Sequence, residues 1–394
     1  MSTALLVGPD RSGRTLAVVD GRVAAGAPPG ARRLDCRGSE IVPGSVCAHT
    51  HLYSGLVPFG MPPPAPPPTS FLQILDRVWW RLDRALDAES LRASARDAVA
   101  RALLAGTTTL VDHHESPAFI EGSLDVLAEA CEGLGVRSLL CYGATERNGG
   151  LAEAQRGLAE CARLAPSPTR RRLVGLHASF TVSDETLREA GRLARDLGTV
   201  VHVHVAEDLA DVEDARSRGT TGPLERMLAL EALPPGSILA HGVHLSREEV
   251  ALANRAGLWL VQNPRSNEGN RVGYPGALRH GDRVALGTDG WVADMAVEEA
   301  ALRRLAAANG DDGTGRLAAG HRLVAEAFGA SPAPLGEGAV ADLVVRDEGA
   351  VRHVVVNGRI VVEDGRLLTG DRDEITRTSQ REAARLWRRM AAIH

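Results

Sequence analysis

Eight short β-branched runs, each ending in polar residues and followed by amphipathic Ala-, Leu-, Arg- and Glu-rich segments, constrain this chain most. The runs are Ser45–His49, Thr108–His113, Arg137–Tyr142, Leu173–His177, Thr199–Val205, Ser237–His241, Leu258–Gln262 and Val284–Gly287. Stretches such as Ile120–Leu134, Ser183–Leu197, Leu224–Leu233 and Ser246–Ala256 carry apolar residues at helical spacing. Strands joined by helical crossovers either spread into an open doubly wound sheet or close on themselves. Eight units favour closure, because a closed sheet has no edge strand to protect. The expected class is α/β, a (β/α)8 TIM barrel.

The ends of the chain read differently. "LAVVDGRVAAG" near the N-terminus and "ADLVVRDEG" and "RHVVVNGRIVVEDGRL" near the C-terminus are short strands with Gly turns. They predict one small β-sandwich built from both termini, residues 1–43 and 336–372. The barrel then occupies residues 44–335, and a helix over 373–394 closes the chain. "MPPPAPPPTS" (Met61–Ser70) is a stiff, polyproline-like loop, either a border of the barrel mouth or a spacer.

Composition excludes several functions. The formal charge of −5 is spread without a basic tract, so no nucleic-acid partner is expected. No apolar run approaches membrane-spanning length and no leader pattern opens the chain, so a cytoplasmic protein without membrane contact is expected. The five cysteines form no C-x-x-C pair, which argues against a disulfide scaffold. Lysine is absent altogether, which removes Schiff-base chemistry and the phosphate-binding lysine of nucleotide loops.

The residues suited to chemistry fall at the predicted strand ends. His49 and His51 in "CAHTHLYSG" stand two apart, on one face of a strand and about 7 Å from each other along it. His204 and Glu207 in "VHVHVAED" pair an imidazole with a nearby carboxylate, as metal-assisted proton transfer requires. His202 shares the parity of His204 but lies deeper, where packing is the favoured reading. His241 ends the sixth run, His244 follows it in a loop, and Asp289 follows the eighth in "VALGTDGW". Burying so many imidazoles and carboxylates unpaired is strongly unfavourable, and a shared cation satisfies them together.

In this order the motifs H-x-H, H-x-x-E, H and D resemble the amidohydrolase superfamily, in its cytosine deaminase, guanine deaminase and triazine hydrolase branch. "FLQILDRVWWRLDRAL", "VDHHESP", "GLHASFTVSD", "NPRSN" and "GTDGWVADM" look most like the SsnA-type aminohydrolases. The resemblance implies one divalent metal, zinc first and iron second, held by His49, His51, His204 and Asp289. Glu207 would be the acid/base, His241 would polarise the group under attack, and His177 would contact substrate. Asn263 and Trp291 are further candidate substrate contacts. The lack of lysine agrees with a single-metal site, since binuclear relatives commonly use a carboxylated lysine bridge. Asp294 departs from the Asn that many relatives carry, and "DHH" (Asp112–His114) is either pocket or core.

The expected activity is hydrolytic deamination of a purine-like or related N-heterocycle, by an enzyme that possibly pairs as a homodimer. The alternatives are a hydrolase acting on a chloro- or alkylamino-heterocycle or a cyclic amide, and a metal-binding scaffold without catalysis.

Overall fold

A computed structural model describes residues 4–393. Eight parallel strands follow one another around the barrel: Ser45–Thr50, Thr107–His114, Arg137–Ala144, Val174–Ala178, Val201–Val205, Ile238–His241, Trp259–Gln262 and Val284–Leu286. Their pairing follows chain order, for example Val111 against Leu139 and His204 against Ala240. The last strand returns to the first. Backbone N–H groups of Thr288 and Asp289 both donate to the His49 carbonyl, at 2.9 and 3.0 Å, and Thr50 bridges Asp289. The sheet is a (β/α)8 barrel, and the doubly wound alternative falls away.

Every residue of the second and third strands is buried, as expected for strands covered by helices outside and side chains within. The helices start where the sequence supplies caps. Ser183 accepts from the Thr186 N–H, and Ser246 with Glu249 forms a reciprocal capping box. Gly135, at φ 85°, ends the Ser123–Leu134 helix in a left-handed turn that glycine adopts without strain.

Both termini contribute to two small sheets. One runs Arg22–Ala24, Leu16–Val19, Ala4–Val7, Arg32–Leu34; the other runs Arg366–Leu367, Arg359–Glu363, Ala350–Val356, Leu343–Asp347, Glu40–Pro43. Glu40–Pro43 is the crossing segment, with Ile41 opposite Val345. Val7, Val18, Ile41, Leu343 and Val355 share one core between the sheets. The turn pairs Asp20–Gly21, Asn357–Gly358 and Asp364–Gly365 have positive φ at both residues, the backbone that tight hairpins require. A buried ion pair of 2.6 Å, Arg137 with Asp342, ties this layer to the third barrel strand. The final helix, Arg372–Ala391, lies against the Ala88–Leu104 helix, where Arg372 pairs with the buried Asp97 at 2.7 Å.

All five cysteines are free and buried. Among the described residues no helix is long and apolar enough to cross a membrane.

Candidate functional site

The C-terminal strand ends converge. His49 and His51 leave the first strand and His204 the fifth, while Asp289 follows the eighth; one ligand atom from each lies within 4.8 Å of all the others. His51 Nε2 is 2.8 Å from Asp289 Oδ1, His49 Nε2 is 3.4 Å from the same oxygen, and His204 Nε2 is 3.3 Å from His51 Nε2. The outer ring nitrogens are engaged elsewhere. His51 Nδ1 donates to the His113 carbonyl at 2.5 Å, and His204 Nδ1 to the His177 carbonyl at 2.6 Å. Those bonds fix the tautomer, so both Nε2 atoms turn lone pairs inward.

Two lone pairs facing each other beside a carboxylate repel unless positive charge lies between them. His49 Nε2 is likewise buried without a hydrogen-bond partner. Burial alone would lower the His51 imidazole, yet Asp289 raises it to about 9. The centre of the cluster attracts positive charge. Three imidazoles and one carboxylate are also a donor set that suits a divalent transition metal.

Beside this cluster stand Glu207 and His241. His241 Nε2 lies 3.5 Å from Glu207 Oε2, and its Nδ1 is 2.9 Å from Asn267 Oδ1. Burial raises the Glu207 carboxyl to about 7 against the pull of His241. Asn270 Nδ2 donates to Glu207 Oε1 at 3.3 Å, and Ser266 Oγ donates to Asp289 Oδ2. Ala206, His241 and Asp289 all hold positive φ, at 48°, 74° and 54°. Non-glycine residues pay for that backbone, and its clustering at three strand ends marks a site whose surroundings enforce it.

The cluster opens into a cavity of about 700 Å³. Phe71, Leu75, Trp79, Trp80 and Phe180 give it a flat apolar wall, and His177 reaches it while its Nδ1 pairs with Thr181 Oγ1 at 3.0 Å. The helical segment Phe71–Ala85, which carries most of that wall, lies outside the helices expected from periodicity. The proline-rich loop contributes no residue to this cavity; Arg77 fastens it through the Pro66 and Pro67 carbonyls, and Met61 lines a neighbouring cavity.

Several expectations need correction. Asn263 is fully buried and does not line the cavity. The eighth strand runs against it so closely that a Cβ on Gly287 would fall 2.5 Å from Asn263 Oδ1. Trp291 is 52% exposed, faces the neighbouring cavity and takes the Arg265 guanidinium over its ring. His202 does more than pack, because its Nε2 is 3.0 Å from His49 Nδ1. The "NEGNRVGYP" stretch begins inside the Pro264–Gly269 helix, not in a loop. His113 holds His51 through its carbonyl, while His114 lies between the Tyr53 and Tyr142 rings. Asp294 caps the Met295–Ala308 helix.

Sequence reasoning missed Glu115, Asp83, Arg147 and Asn270. Glu115 had a usable signal, since it directly follows "DHH" at the end of a barrel strand. Asp83 and Arg147 meet only in the folded chain.

Barrel, inward-turned imidazoles and an unshared carboxyl at the mouth together define a hydrolase of the metal-dependent (β/α)8 class. The model of the Amidohydrolase family matches residues 41–361, and the chain belongs to that family. It is 29% identical to the 5'-deoxyadenosine deaminase of Methanopyrus kandleri, covering 88% of this chain and 86% of that one. It is 30% identical to the 8-oxoguanine deaminase of Pseudomonas aeruginosa, over 70% of this chain and 66% of that one. Among solved structures, an adenosine deaminase from Xanthomonas campestris with bound zinc has the same fold, with a TM-score of 0.80, 21% identity and 97% of both chains covered. Atrazine chlorohydrolase from Arthrobacter aurescens, complexed with zinc, matches with a TM-score of 0.75 and 21% identity over 97% of this chain and 98% of that one.

Proposed function

We propose that the chain is a hydrolytic deaminase that releases ammonia from a purine-like or related N-heterocycle. The observation that carries this reading is the division of labour among the acids: Asp289 faces the inward-turned imidazoles, while Glu207 stands beside them at the cavity, raised to about 7. The deaminase relatives support it.

His49, His51, His204 and Asp289 would hold the metal, and zinc is the ion that this donor set and the zinc-bound neighbours favour. When bound, it acidifies water and polarises the reacting group as a Lewis acid. The chain's own residues do the rest. Asp289 accepts a proton from the attacking water. Glu207 delivers one to the ring nitrogen beside the carbon under attack, and His241 donates to the developing negative charge. The C–O bond forms, the C–N bond breaks, and ammonia leaves. The flat wall of Trp79, Trp80 and Phe180 suits a planar ring. A cytoplasmic location and a homodimer complete the proposal.

The same groups could expel chloride or an alkylamine. Purified protein should contain about one zinc per chain and release ammonia from members of a heterocycle panel that includes 5'-deoxyadenosine and 8-oxoguanine. Chloride or alkylamine release alone would favour the second activity. A folded, metal-loaded protein that turns over nothing would leave only a scaffold.

A further inference from the structure

The cavity has a second acidic wall, away from Glu207 and Asp289. Asp83 and Glu115 both line it, and they are only 2% and 3% exposed. One oxygen of each, Asp83 Oδ1 and Glu115 Oε1, is buried with no hydrogen-bond donor. The other Asp83 oxygen accepts from Arg147 Nη2 at 2.9 Å, and that guanidinium lies over the Trp80 ring at 4.8 Å. Glu115 Oε1 is 2.9 Å from His113 Nδ1, but out of hydrogen-bond alignment. One guanidinium therefore serves two buried carboxylates. A buried acceptor left without a donor costs roughly 1–3 kcal/mol, and more when it is charged. Native proteins keep few of them, and two on one cavity wall are what a ligand with donors would satisfy.

Position narrows the ligand. A Glu115 carboxylate oxygen lies within 4.8 Å of imidazole nitrogens of His177 and His204. Whatever it contacts is thus next to the carbon under attack and belongs to the ring itself, not to a distant substituent.

The geometry points to Asp83 and Glu115 as a specificity-determining pair that accepts hydrogen bonds from N–H groups of the substrate ring. The preferred substrate is then a heterocycle with ring N–H donors. A ring edged only with lone pairs would face carboxylate oxygens and leave both sides unsatisfied. The choice of a deaminase substrate rests on the reading above; the donor-seeking wall does not.

Three probes separate the sources of donors: 8-oxoguanine has ring N–H groups and no sugar, 9-methyladenine has no ring N–H, and adenosine adds only sugar hydroxyls. Ammonia release and calorimetric binding are measured on the zinc-loaded protein and on the Glu115→Gln and Asp83→Asn variants. Wild type should prefer 8-oxoguanine over 9-methyladenine by about 10²-fold or more. Each variant should lose ~10–10²-fold on 8-oxoguanine, mostly in KM, and change little on 9-methyladenine. Equal losses on all probes, or a loss confined to adenosine, would overturn the assignment. If no probe releases ammonia but 8-oxoguanine binding still depends on both carboxylates, deamination falls and the donor site stands. Should Asp83→Asn misfold for want of the Arg147 partner, Glu115→Gln and the wild-type preference decide the matter.

Discussion

His49 Nδ1 lies 3.0 Å from His202 Nε2, and both rings are fully buried inside the barrel. The contact sets the orientation of His49 and so aims its unpartnered Nε2 at the centre of the cluster. Partners of this kind typically change metal affinity ~10–100-fold when removed. The His202→Gln variant should fold, yet bind zinc more weakly by that factor in a competition titration with a chelator. Unchanged affinity would reduce His202 to packing.

Replacing Glu207 with Gln keeps its volume and removes the proton it would deliver. Turnover should fall by ~10²–10⁴-fold while the metal content of the variant stays at the wild-type level. Metal loss with turnover retained would reverse the roles proposed for Glu207 and Asp289.

The same carboxyl sets a pH limit. Burial raises Glu207 to about 7, so its proton is present below that pH and lost above it. If the protonated form is the donor, kcat/KM should fall as pH rises through about 7. A flat profile from pH 6 to 9 would argue for another donor.

Asp211 makes a stability prediction of opposite sense to the usual carboxylate. Its Oδ2 accepts the Ala206 N–H at 2.7 Å, holding the turn that carries Glu207, and burial raises it to about 7. The folded state thus binds this proton more tightly than the unfolded chain, where an Asp titrates near 3.9. The destabilisation is absent below pH ~4, grows between ~4 and ~7, and is complete above. Asp211→Asn should therefore gain stability on the order of 1–3 kcal/mol at pH 8 and nothing near pH 4. Denaturant midpoints at the two pH values measure it.

Chelation tests the cluster as a whole. Stripping the metal should abolish turnover and lower the melting temperature, and zinc should restore both. At a free zinc concentration 100 times Kd the linkage is worth about 2.7 kcal/mol. A melting temperature indifferent to zinc would mean that the inward-facing imidazoles are satisfied some other way.

Much of this was legible in the residues themselves. The barrel strands show as β-branched runs because each is buried on both faces, and the hairpins show as Asp-Gly and Asn-Gly because few other pairs tolerate positive φ twice. His49, His51, His204 and Asp289 could be singled out because strand parity and strand ends are local properties. Asn263 and Trp291 fail for the complementary reason. A residue's place just after a strand does not tell which way its side chain turns, and here one turns into the core and the other away from the cavity.

Period and polarity along the chain are enough to determine a closed α/β barrel with imidazoles and carboxylates at one rim. What they leave open is which groups meet across that rim. The His202 contact behind His49, the Asp83–Arg147 pair and the unpartnered oxygen of Glu115 join residues from different strands and helices. Local pattern follows from the backbone's own period, whereas a side chain's partner depends on packing between distant segments, and only the folded chain brings those together.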